Sequence, residues 1–86
     1  MYLDRYSTEI KDKFLRLKKD PSQYLIVRKK IQQILENPNH SYKFLRYNMK
    51  QLQRVHIGHF VLAFLINHED KIVDFYDYDH HDKIHK

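Results

Sequence analysis

The chain has 86 residues with one Gly, two Pro and no Cys, which fits one small domain over residues 1–86 and leaves no room for a second. The missing cysteine excludes a disulfide framework and a thiolate metal site. The longest apolar run, Phe60 to Ile66, is seven residues against about 20 for a membrane span, and Asp4 and Arg5 stand where a signal peptide would begin its apolar stretch, so the expectation is a cytoplasmic protein with no membrane partner.

Charge is unevenly spread. The net value is +5, yet residues 1–54 carry 13 Lys and Arg against 5 Asp and Glu, and residues 55–86 carry 3 against 6. A basic half of this kind suits a polyanion or an acidic protein partner; it is also what a pair of solvated, Lys-rich helices would show.

In chain order, residues 2–6 read as a short edge strand. Ser7 suits a helix N-cap, with Ile10, Phe14 and Leu17 at helical spacing and Lys18 and Lys19 where the C-terminal dipole favours cations. Asp20 and Pro21 restart the chain as an N-cap followed by proline in the first turn. Tyr24, Val27, Ile31, Ile34 and Leu35 then form the stripe of a second helix, which should end at Asn37 because a residue before proline is pushed from the helical region. Residues 39–51 read as a connecting loop containing Lys43, Arg46 and Lys50.

From there the period changes to two. Gln53, Val55 and Ile57 alternate with Arg54 and His56, as in a half-buried strand. Gly58 and His59 suit a two-residue hairpin turn. Residues 60–66 are apolar on both faces and should form the central strand, with one face under the helices. A turn at 67–70 and a third strand over 71–78 follow, then a polar, His-rich tail. The expected fold is α+β, in the order β-α-α-β-β-β, with a helical hairpin packed on a small, mainly antiparallel sheet.

Three features carry chemistry. The tail holds His80, His81 and His85 beside Asp82. Arg54 and His56 point to one face of their strand by the pleat. Lys50 lies four residues upstream of Arg54. Cleaving RNA without a metal needs a base for the ribose 2′-hydroxyl, an acid for the departing 5′-oxygen and cations for the phosphorane. Imidazole, with a free pKa of about 6.5, suits the first two, and Lys and Arg suit the third. If the last strand pairs beside the central one, the tail can lie over a sheet face and meet Arg54 and His56. His81 and His85 are also four apart, and with His80 and Asp82 they could ligate zinc if the tail were helical, but no third His is fixed nearby by spacing and there is no H-E-x-x-H pattern, so neither a metal nor a cofactor is expected. His40, His59 and His68 are read as solvated turn or loop residues.

Over essentially its whole length the chain resembles the RelE/ParE toxin superfamily of toxin–antitoxin modules, and most closely its RelE-like and YafQ-like mRNA interferases. The resemblance is carried by the Asp20-Pro21 joint, the helix end at residues 34–38, Lys43-Phe44-Leu45-Arg46-Tyr47, residues 50–58, Phe60-Val61-Leu62 and the ending over residues 77–85. It implies a microbial RNase-type fold and an endoribonuclease that cuts mRNA on the ribosome and is silenced by a cognate antitoxin, with operator DNA reached only through that antitoxin. By this resemblance His81 and His56 are the catalytic histidines, with His80 and His85 as further matches and Asp82 as the orienting carboxylate. Lys43, Arg46, Lys50 and Arg54 face RNA, and Lys50 and Arg54 also neutralise the scissile phosphate. The chain departs from the family pattern at Gln51, where Gly is usual, at Phe60, where other branches carry Arg, and at His85, where Tyr or Phe is common. The alternative within the superfamily is a non-catalytic binding module, either a gyrase-directed toxin of the ParE type or a DNA-binding corepressor acting with an antitoxin.

Overall fold

A computed structural model of the chain describes residues 1–45 and 51–84. In chain order the elements are β1 (Leu3–Tyr6), α1 (Thr8–Leu17), α2 (Pro21–Glu36), β2 (Lys43–Phe44), β3 (Gln53–Ile57), β4 (Phe60–Asn67), β5 (Ile72–His80) and α3 (His81–Ile84). The five strands form one sheet in the order β1-β5-β4-β3-β2. β1 runs parallel to β5, and the other pairs are antiparallel. The α+β fold expected from the sequence is present, with β4 at the centre of the sheet.

The helices form for the reasons their sequences carry. The Ser7 Oγ accepts from the N–H of Ile10, and the Asp20 side chain accepts from that of Gln23, so each helix starts on a side-chain cap. Ile10, Phe14, Val27, Ile31, Ile34 and Leu35 point inward onto one face of the sheet, where Ile57, Leu62, Phe64, Val73, Phe75 and Tyr78 meet them. This is the main core, and Phe64 and Phe75 are fully enclosed in it.

The opposite face is smaller and differently covered. Leu45, Leu52, Val61, Ala63 and Ile84 are buried together there. β4 is therefore apolar on both faces, Leu62 and Phe64 serving one and Val61 and Ala63 the other.

Two expectations needed correction. Lys43 and Phe44, read as loop, pair with Arg54 and Gln53 as β2; two residues are too few to leave a period-two signal. The strand expected over 71–78 runs from Ile72 through His80, and residues 81–84 of the polar tail make one helical turn. Ile84, an isolated apolar residue in a polar run, closes that turn onto the second face.

One irregularity fixes the end of the sheet. Phe64 pairs with Phe75, but Ala63 pairs with Asp77, so Tyr76 is an extra residue on β5. Such a bulge shifts which residues face the core. Phe75 and Tyr78, three apart, both enter the main core as a result. The Ser7 Oγ donates to the carbonyl of Tyr76 at 2.7 Å, and the Ser7 N–H donates to that of Phe75 at 3.0 Å, so the cap of α1 also satisfies the backbone of the bulge.

Candidate active site

β3 presents Arg54 and His56 on the face away from α1 and α2. Arg54 Nη1 lies 2.9 Å from His56 Nε2. A guanidinium has no acceptor, so His56 Nε2 must accept and the ring proton sits on Nδ1. Arg54 Nε also donates to the carbonyl of Phe44 at 3.2 Å, which holds the guanidinium across β2. Lys43, the register partner of Arg54, lines with Arg54, His56, His40 and Tyr42 a groove of about 300 Å³. Burial pushes the Tyr42 hydroxyl above its ordinary pKa.

A second cluster gathers where β5 passes into α3. His81 Nδ1 lies 2.9 Å from Asp82 Oδ1, and His80 Nδ1 lies 3.5 Å from Asp82 Oδ2. The two imidazoles are 4.5 Å apart between ring centres. His59, expected only as a solvated turn residue, brings its ring to 6.1 Å from His80 and 6.2 Å from His81. Its backbone carbonyl accepts from the His81 N–H. All three histidines read as solvated are exposed; His40 also meets the Tyr42 ring edge-on, and His68 Nδ1 lies 3.0 Å from the Tyr2 hydroxyl.

Lys13 braces this corner from α1. Its Nζ bonds the carboxylates of Asp77 at 2.6 Å and Asp79 at 3.1 Å. Partial burial works against the Lys13 charge, but the two carboxylates outweigh it and its pKa is raised. Partial burial likewise works against the Asp79 charge, and the His80 N–H with Lys13 overcomes it, leaving the carboxyl below its usual range. Nothing in the spacing of Lys13 marked it for this position, because the pairing depends on how α1 lies against β5.

The two clusters share a neighbourhood. His56 pairs with Val61 and Arg54 with Ala63, and Val61 and Ala63 form the floor on which Ile84 rests. α3 therefore lies over the sheet face that carries Arg54 and His56, as the sequence suggested. Val61 in turn pairs with Asp79, so His56 stands two strand spacings from β5, about 10 Å. Arg46, Lys50 and His85 lie outside the described residues.

The ligand atoms of His80, His81 and Asp82 lie within 4.8 Å of one another, the one such grouping of metal-binding side chains among the described residues. No helix among the described residues is long and apolar enough to cross a membrane.

No protein-family model matches the chain. An uncharacterized protein of Methanosarcina mazei is 48% identical over an alignment of 87 positions that covers 99% of this chain and 100% of the relative. A candidate toxin of Methanocaldococcus jannaschii, RelE4, is 43% identical over 70 residues, 80% of this chain and 73% of that one. Among solved structures, the toxin–antitoxin complex RelBE2 of Mycobacterium tuberculosis contains a similar fold, with a TM-score of 0.76 at 21% identity over 92% of this chain and 96% of that chain. The sheet order, the helical hairpin and the RelE4 relationship over four fifths of the sequence lead to one assignment: the chain belongs to the RelE toxin family.

Proposed function

We propose that the protein is the toxin of a toxin–antitoxin module and a ribosome-dependent mRNA endoribonuclease that works by acid/base chemistry without a metal. The observation that carries this reading is the pair of differently held imidazoles beside one face of the sheet. His56 accepts from Arg54 and so has no proton on Nε2. His81 has its Nδ1 against the Asp82 carboxylate, an arrangement that accommodates a proton on each ring nitrogen and leaves Nε2 to transfer one.

Those hydrogen bonds divide the work. When a scissile phosphate draws the Arg54 guanidinium onto its oxygens, His56 Nε2 takes the proton of the 2′-hydroxyl. The 2′-oxygen attacks phosphorus, the bond to the 5′-oxygen breaks, and His81 protonates that oxygen. The products are a 2′,3′-cyclic phosphate and a free 5′-hydroxyl. Arg54, with Lys43 beside it, stabilises the charge that builds on the phosphorane. Arg46 and Lys50 belong to the same basic segment by sequence, and His80 and His85 to the same histidine set.

The antitoxin is the second part of the proposal. A basic domain with Leu3, Leu15, Leu25, Ile26 and Phe44 exposed suits an acidic, amphipathic partner that buries more than about 1,000 Å². Its binding should weaken as salt rises.

The test is cleavage of a defined mRNA on programmed ribosomes in a zinc-selective chelator, mapped by primer extension. The wild type should cut in the ribosomal A site region and leave cyclic phosphate ends, while His81→Ala should be strongly impaired with an unchanged circular dichroism spectrum. Toxicity that survives His81→Ala and coincides with gyrase inhibition would replace this reading with a ParE-type one.

A further inference from the structure

The corner formed by His59, His80, His81 and Asp82 contains more ligand atoms than acid/base chemistry uses. The Asp82 N–H donates to His80 Nδ1 across a long 3.3 Å, which a metal ligated through that nitrogen would replace. The same nitrogen stands 3.5 Å from Asp82 Oδ2. On the other side of the same carboxylate, His81 Nδ1 stands 2.9 Å from Oδ1. Two imidazole nitrogens and a carboxylate thus converge on one point that a cation can occupy in place of these hydrogen bonds.

The spacing suits a particular class of cation. Tetrahedral zinc with bonds of about 2.0–2.1 Å has ligand atoms about 3.3 Å apart, and each imidazole nitrogen stands at about that distance from one oxygen of the Asp82 carboxylate. One ligand atom from each of His80, His81 and Asp82 lies within 4.8 Å of the other two. The His59 ring lies 6.1 and 6.2 Å from the His80 and His81 rings between centres, and its residue is tethered by its carbonyl to the His81 N–H, which makes it the nearest further imidazole among the described residues. Imidazole-rich sets favour zinc, nickel or copper, whereas magnesium prefers oxygen ligands and keeps its water. The His80 and His81 side chains are 37% and 42% exposed, so an ion has access.

We propose that His80, His81 and Asp82, completed by His59, form an inhibitory site for a zinc-type divalent ion, which takes His81 out of use. Ion binding rests on the geometry alone; the inhibition rests also on the RNase reading of His81. A ring ligated through Nδ1 keeps its remaining N–H and accepts no second proton, so it cannot shuttle one near neutral pH. The ion also captures Asp82, the group that orients the ring. The reaction would then run in the metal-free protein and stop on loading.

The test uses the full chain with zinc chloride, and magnesium chloride as the control ion. Binding is followed by titration calorimetry, and occupancy of His81 by its protection from carbethoxylation with diethyl pyrocarbonate, read by mass spectrometry. The expected result is one saturable zinc site, protection of His81 but not of His68, and no effect of magnesium. Asp82→Asn and His59→Ala should each weaken zinc binding at least about tenfold, with circular dichroism confirming that each variant is folded. Absence of saturable zinc binding, unchanged affinity in both variants, or a fully reactive His81 in the zinc-loaded protein would overturn the site. Zinc that binds and protects His81 while ribosomal cleavage continues at the metal-free rate would overturn the inhibition. A wild type that binds zinc as described but never cleaves, even in chelator, would instead count against the RNase reading, since binding and protection are read without activity.

Discussion

The backbone N–H of His81 donates to the carbonyl oxygen of His59 across 2.9 Å, tying the first residue of α3 to the turn between β3 and β4. That turn is tight because Gly58 adopts a φ of +63°, a left-handed conformation that glycine enters without the steric cost a Cβ imposes. The position of the histidine corner thus depends on a hairpin more than 20 residues earlier in the chain.

The proposed proton transfers make the first prediction. His81→Ala should lower single-turnover cleavage by about 10²–10⁴-fold, the usual cost of removing a proton-transfer group. Asp82→Asn should cost less, because it removes orientation and leaves the imidazole. Equal, small effects from both in a quench-flow assay would contradict the assigned roles.

Arg54 carries charge and geometry together. Arg54→Ala should reduce cleavage by about 10²–10³-fold, and Arg54→Lys should recover only part of it, since Lys lacks the fork that bonds Phe44 and His56 at once. Thermal unfolding of both variants should stay close to wild type, because the residue is on the polar side of β3.

Ser7 couples a helix cap to the strand bulge, and Ser7→Ala should destabilise the protein by about 1–2 kcal/mol. The loss includes the Ile10 N–H partner and the donor to the Tyr76 carbonyl. Urea denaturation measures it. Cleavage should fall as well, in spite of the distance from the histidines, because the bulge sets the register of His80 and His81.

Removing the Ile84 side chain tests how α3 is held. Ile84→Ala should cost no more than about 2 kcal/mol, the low end for a buried Ile, since the small second cluster has few layers. The larger effect should be on catalysis, with cleavage falling while β-sheet hydrogen-exchange protection stays intact.

The two ends of the pH scale have assigned causes. Burial and the hydrogen bond to Asp4, against the lowering effect of Arg28, raise the Tyr6 hydroxyl to about 12. Its folded value therefore exceeds its unfolded value, so its contribution is complete below about 10 and is lost as pH rises through 12. Asp79 is shifted the other way. Its contribution is present above the unfolded value of 3.8 and is lost as pH falls through the lower folded value. Asp79→Asn should flatten the acid limb of the stability profile, and Tyr6→Phe the alkaline limb, when denaturation midpoints are measured across pH.

Local sequence determined the helices, the turn at Gly58 and the doubly apolar central strand. Caps, proline placement and side-chain periodicity act within a few residues, so Ser7, Asp20 and residues 60–66 carry their instructions with them. Sequence also brought Arg54 and His56 together, because the pleat places residues two apart on one face. It did not disclose β2, whose two residues form a strand only when Arg54 and Gln53 are alongside. Nor did it disclose His59 as a neighbour of His80 and His81. Counting back along an unbroken β4–β5 ladder from the Asn67–Ile72 pair would set Phe60 opposite Asp79; the extra residue at Tyr76 moves it opposite His80. A one-residue shift exchanges the faces of every later side chain, and it depends on pairing between distant strands and on the Ser7 bond to Tyr76. The tertiary structure alone decided which histidines meet.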